Sequence, residues 1–199
     1  MNTSNAIQNN VAPGASPVFR SLFKLMRFID DISVWSGKIT AIVIFPMIAS
    51  LIYEVISRYF FNLPTIWARD VTTYLYGAHF MLGAAFCLQR QLHIRTDFLY
   101  EKWSNRTKGL VDATLYILLY FPGLMIFLLF GWEFAAQSVS QMERTMASPW
   151  MPYIWPLKLC IPIATILLLF QGISELIKCF YAIQTNIDVR EDLKEEVET

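Results

Sequence analysis

Histidine, cysteine and net charge are all scarce in this chain, and each shortage removes a class of chemistry. The 199 residues hold two histidines and three cysteines, and sixteen basic residues balance sixteen acidic ones to a formal charge of zero. A neutral chain offers nucleic acid no electrostatic footprint, so no nucleic-acid partner is expected. Cys87, Cys160 and Cys179 all stand in apolar stretches, at no metal-ligand spacing and with no loop neighbour for a disulfide, and they read as small hydrophobes. His79 and His93 both fall on or just beyond one apolar segment, whereas a haem held between facing helices needs histidines on both. The sequence also lacks a Gly-rich phosphate loop, a nucleophile set beside a base and a cluster of metal ligands. The expectation is a chain that is not an enzyme and holds no cofactor or metal of its own.

What the chain has in quantity is apolar side chains. At 55% hydrophobic, 15% aromatic and a mean hydropathy of +0.42, it is too apolar for a water-soluble domain of this length and reads as an integral membrane protein. Four apolar segments, near 35–60, 68–92, 108–139 and 154–181, each approach the roughly 20 residues needed to cross a hydrocarbon core. Charge is thin within them. Only Lys38, Glu54 and Arg58 interrupt the first, and none falls between Val71 and Gln89, Asp112 and Glu133, or Lys158 and Glu175. The predicted fold is all-α, with four transmembrane helices in a domain spanning 35–183.

Three flanking pieces complete the organisation. Residues 1–17 are Asn, Ser, Pro and Gly without periodicity, a disordered tail. Residues 18–34 place Phe19, Leu22, Phe23, Met26 and Ile29 opposite Arg20, Lys24, Arg27, Asp30 and Asp31, the pattern of an amphipathic helix lying in the membrane interface. Residues 184–199 form an acidic tail. The polar start ahead of a long apolar stretch does not match a cleaved signal, so the first segment is expected to remain as an anchor. Lys and Arg gather before the first segment, between the second and third and after the fourth, which predicts both termini in the cytoplasm.

The stretch EVISRYFFNLPTIWARD, residues 54–70, carries Glu54, Arg58, Arg69 and Asp70 around a short turn. Its brevity demands a tight antiparallel hairpin, with Thr65 a candidate cap for the second helix. Glu54 and Arg58 are i,i+4 neighbours, Asp70 should lie level with Arg58 across the hairpin, and the four charges sum to zero. Two readings stay open: an internal salt-bridge clamp, or a polar patch for another membrane subunit. An ion-translocating site is the weakest, because a self-neutralised cluster leaves no free carboxylate.

Elsewhere, Gly77, Ala78, Gly83, Ala84 and Ala85 would let a neighbouring helix come close. Mid-membrane His79 lacks the further ionisable groups of a proton relay and is better explained by an interhelical hydrogen bond. Thr72, Thr73 and Thr165 should bond to their own helix carbonyls. His93, Arg95 and Asp97 alternate at the expected cytoplasmic edge, as in a loop that meets membrane lipid headgroups. Between the third and fourth segments, Trp150, Tyr153 and Trp155 suit headgroup level, while Pro149, Pro152 and Pro156 favour a rigid, partly extended connection.

Three motifs in order carry a resemblance: EVISRYFFNLPTIWARD from Glu54, HIRTD from His93, and SPWMPYIWPLKLCIP from Ser148. Over about residues 35–180 the chain resembles the small, DctQ-type four-helix membrane subunit of tripartite ATP-independent periplasmic (TRAP) transporters, with Asp70 standing where many relatives have Glu. The resemblance implies a bacterial inner-membrane complex in which a large multi-helix subunit carries the substrate and Na+, and a soluble periplasmic substrate-binding protein delivers an organic acid. The small subunit would be a scaffold beside the large one. Glu54, Arg58, Arg69 and Asp70 would then shape its contact with that subunit, and Trp67, Trp150, Tyr153 and Trp155 would belong to the periplasmic docking surface. Two rival classes are a cytochrome b-like four-helix anchor, disfavoured by the histidine count, and a self-sufficient small exporter. The exporter would want an unpaired carboxylate at mid-membrane, and Glu133 and Glu175 fall toward segment ends.

Overall fold

The computed structural model describes residues 17–90 and 103–185, which fold as helices α1 (Pro17–Tyr59), α2 (Ala68–Gln89), α3 (Asn105–Leu115), α4 (Phe121–Ser140) and α5 (Trp155–Thr185). A single π-helical turn, Tyr116–Tyr120, joins α3 to α4 without a break. Four stretches are long and apolar enough to cross a membrane: Lys24–Tyr59, Ala68–Gln89, Asn105–Ser140 and Trp155–Thr185. The four-span, all-α expectation therefore stands. Of the expected tails at 1–17 and 184–199, Pro17, Gln184 and Thr185 are helical; the rest of both, and the motif of His93, Arg95 and Asp97, lie outside the described residues.

Local sequence explains the irregular points. Pro122, in the first turn of α4, has no N–H for the carbonyl one turn back and crowds it, and a widened π turn just upstream absorbs that misfit. Ser104 caps α3, its hydroxyl accepting from the Thr107 amide at 3.3 Å. Pro156 falls in the first turn of α5, where a missing N–H costs nothing. Thr65 does not cap α2: Trp67 occupies that position with no side-chain bond, because the Thr65 hydroxyl is engaged elsewhere.

α5 is the centre of the molecule. The α1–α2 hairpin packs on one side of it and the α3–π–α4 span on the other. Lipid tails give no hydrophobic drive for helix association, so close approach through small residues has to supply the packing. Gly37 of α1 lies under the Phe86 ring of α2, where an added Cβ would come within 2.4 Å, and Gly172 of α5 lies equally close under Tyr120. Tyr120 completes that contact by donating its hydroxyl to the Leu168 carbonyl at 2.8 Å. The outward faces, among them Ile42 and Phe45 of α1, Leu119 of the π turn and Phe130 of α4, stay apolar and exposed, as lipid requires.

One boundary differs from expectation. No break separates residues 18–34 from the first span: both belong to the 43-residue α1. Met26, Ile29 and Ser33 of this stretch are buried within the chain. Amphipathic periodicity shows that a face is covered, and here protein covers it.

Candidate functional site

The hairpin between α1 and α2 turns at Asn62, whose φ of 51° is a left-handed conformation that asparagine tolerates. Glu54, only 7% exposed, ties this turn together. Its Oε1 accepts from Arg58 Nε at 3.0 Å and also from Nη2, and its Oε2 accepts from the Thr65 amide at 3.1 Å and from the Thr65 hydroxyl. The Arg58 side chain remains about half exposed.

The other two charges do not join them. Asp70, also 7% exposed, turns away from Arg58 and accepts a hydrogen bond from the Ser148 hydroxyl in the connection between α4 and α5. Arg69 is exposed and makes no ion pair among the described residues. Glu54 and Arg58 thus form one pair, Asp70 is engaged separately with Ser148, and Arg69 joins neither. Arg69, rotated about 100° from Asp70 on α2, is exposed while Asp70 is buried. Asp70 also lies in the first turn of α2, where the helix dipole favours a carboxylate.

The connection that receives Asp70, residues 141–154, is an extended, paired structure. Arg144 and Tyr153 form an antiparallel bridge, flanked by Thr145 N–H to Pro152 C=O and Ile154 N–H to Glu143 C=O, both at 3.0 Å. The Arg144 guanidinium donates to the Tyr153 hydroxyl at 2.8 Å and lies over its ring at 4.4 Å. Lys158 of α5 bonds Glu143 at 2.5 Å and rests 3.9 Å above the Phe134 ring of α4. This hydrogen bond from Lys158 holds the Glu143 carboxyl below the usual carboxylate range. Trp150 and Tyr153 are exposed, Trp155 is half-buried at the start of α5, and exposed Trp67 packs on Tyr53 at 5.4 Å. All four expected aromatics therefore belong to the hairpin end of the bundle.

A second polar cluster, not anticipated from sequence, lies toward the other end between α1 and α5. Lys178, 1% exposed, reaches Glu175 at 2.7 Å and Asp30 at 3.1 Å. Asp30 Oδ1 also accepts from Gln171 Nε2 at 2.9 Å and Ser174 Oγ at 2.7 Å, and Ser33 donates to Gln171 Oε1 at 2.6 Å. The signal was the spacing of Gln171, Ser174, Glu175 and Lys178 along one face of an apolar helix. Nearer the middle, His79 Nδ1 lies 3.0 Å from the Thr40 carbonyl, an interhelical hydrogen bond made by the Nδ1–H tautomer. Thr72, Thr73 and Thr165 bond to the carbonyls of Ala68, Arg69 and Ile161 on their own helices.

This arrangement defines a class: a four-span α-helical membrane protein whose buried charged side chains Glu54, Asp70, Glu175 and Lys178 are engaged within the chain. Among the described residues no group of three His, Cys, Asp or Glu side chains converges as metal ligands would. The chain belongs to the family of tripartite ATP-independent periplasmic transporters, DctQ component, which matches residues 47–181, and it is a multi-pass inner-membrane protein. It is similar to the sialic acid TRAP transporter permease protein SiaT of Haemophilus influenzae (strain 86-028NP), 29% identical over 106 residues. That match covers 53% of this chain and 17% of the relative, so the chain corresponds to a small part of the relative's length. No solved structure matches the chain.

Proposed function

We propose that this chain is the non-catalytic scaffold subunit of a Na+-coupled TRAP transporter for organic acids, packing beside a large membrane subunit and helping to seat the periplasmic substrate-binding protein. The observation that carries this reading is that the buried charged side chains are engaged within the chain. Glu54, Asp70 and Lys178 are all engaged within the chain, which leaves them poorly placed to grip a passing solute. The relative supports a larger partner, because most of that permease's length lies outside the matched part. Its name specifies sialic acid, a sugar carboxylate, which fits an organic acid as cargo. Na+ would be bound by the large subunit.

At the hairpin end, the paired connection 141–154 and the aromatic residues Trp67, Trp150, Tyr153 and Trp155 offer a braced surface of amphipathic rings suited to a soluble protein landing at headgroup level. Arg58 and Arg69 add exposed positive charge beside it, which would steer an acidic partner surface. The test is reconstitution. The chain alone in proteoliposomes should accumulate no organic acid under a Na+ gradient, and uptake should appear when the co-purified membrane partner and binding protein are added. Uptake by the chain alone would refute the scaffold reading.

A further inference from the structure

We infer that the face of α4 turned away from α5, the stripe Ile126, Leu129, Glu133, Ala136, Gln137 and Ser140, seats a helix of the large membrane subunit that supplies an arginine or lysine to Glu133. This rests on the scaffold reading above and adds the surface and its chemistry.

α4 buries Gly131, Ala135 and Ser138, the side that meets α5. Glu133, two residues past Gly131, is rotated about 200° from that side and is exposed, as are Ala136, Gln137 and Ser140. The span containing it is the least buried of the four. Among the described residues the Glu133 carboxylate has no hydrogen bond or ion pair, and neither has the Gln137 side-chain amide one turn on.

Hydrocarbon supplies no donor to a carboxylate, so intramembrane charges face protein or water. Glu133 lies seven residues before the end of α4, about 10 Å along the axis, further than its short side chain can reach. Lys158, the cation of α5 at this level, is already held by Glu143 and lies over the neighbouring Phe134. A second copy of this chain docked by the same face about a two-fold axis would set Glu133 against Glu133, a like-charge contact. A cationic helix of a different polypeptide satisfies the carboxylate, and Ala136 and Ser140 let its backbone come close.

The test uses the assembled complex in native membranes. A photo-crosslinking amino acid at Leu129 or Gln137 should capture the large membrane subunit, identified by mass spectrometry, whereas the same probe at Ile42 or Phe45 on the exposed face of α1 should not. Glu133→Gln should lower the co-purified large subunit at least about tenfold with membrane insertion of the chain unchanged, and Glu133→Asp should retain most of it. Capture from α1 alone, a self-dimer from Gln137, or undiminished co-purification of Glu133→Gln would overturn the assignment. Failure to recover any large membrane polypeptide, from any position, would instead bring down the scaffold reading and this inference with it.

Discussion

The Ser148 hydroxyl donates to the carboxylate of Asp70, joining the first turn of α2 to a connection 78 residues further along the chain. Without it, the paired connection would be held to the bundle mainly by its own ends and by Lys158. Ser148→Ala leaves a buried carboxylate short of a donor and should cost about 1–3 kcal/mol of local stability. Hydrogen exchange should show faster exchange across residues 141–154 in this variant, with α5 unchanged. Uniform protection would show that the contact does not hold the connection.

Acid should release the same connection from its other side. The Glu143 carboxyl is lowered from 4.5 by its bond to Lys158, so this tie contributes fully above 4.5 and is lost as pH falls through the lowered value. Trp150 fluorescence should hold steady from neutral pH down to that range and change below it. In Glu143→Gln the acid transition should be absent.

The cluster at Lys178 should dominate unfolding. Removing one member of a buried ion pair typically costs about 3–5 kcal/mol because its partners stay buried and unpaired. Lys178→Met strands Asp30 and Glu175, and it should lower the thermal midpoint in detergent well below that of the parent chain. Adding Asp30→Asn and Glu175→Gln should recover part of the loss. A single variant as stable as the parent would mean that water or detergent reaches the site.

Two glycines should respond in opposite directions. Gly172→Ala would place a methyl carbon 2.4 Å from the Tyr120 ring, and overpacking of this kind costs about 1–3 kcal/mol. Gly123 has nothing within 4 Å of an added Cβ, so Gly123→Ala should be neutral or stabilising by about 0.5–1 kcal/mol through helix propensity. Paired thermal melts would check both.

Hydropathy made the four spans legible because it measures affinity for the solvent that surrounds them. Turn length made the hairpin legible, and the proline spacing foreshadowed the extended form of residues 141–154. Which charges meet was hidden, since it depends on how helices rotate and slide relative to one another. Glu54 and Arg58 were readable as i,i+4 neighbours, yet Asp70 found Ser148 and Asp30 found Lys178, partners far along the chain. Residues 18–34 were ambiguous for another reason: the same alternation suits a membrane surface or a protein neighbour. Glu133 looked like a residue near a segment end, and its isolation emerged only once α4 was seen to meet α5 with its opposite side.

The length of α1 has a mechanical result. Its 43 residues reach about 64 Å, roughly twice the thickness of a hydrocarbon core. The Asp30 to Lys178 bond ties the N-terminal part of α1 to α5. Tied in this way, α1 and α5 should tilt within a bilayer as one body rather than as two hinged helices.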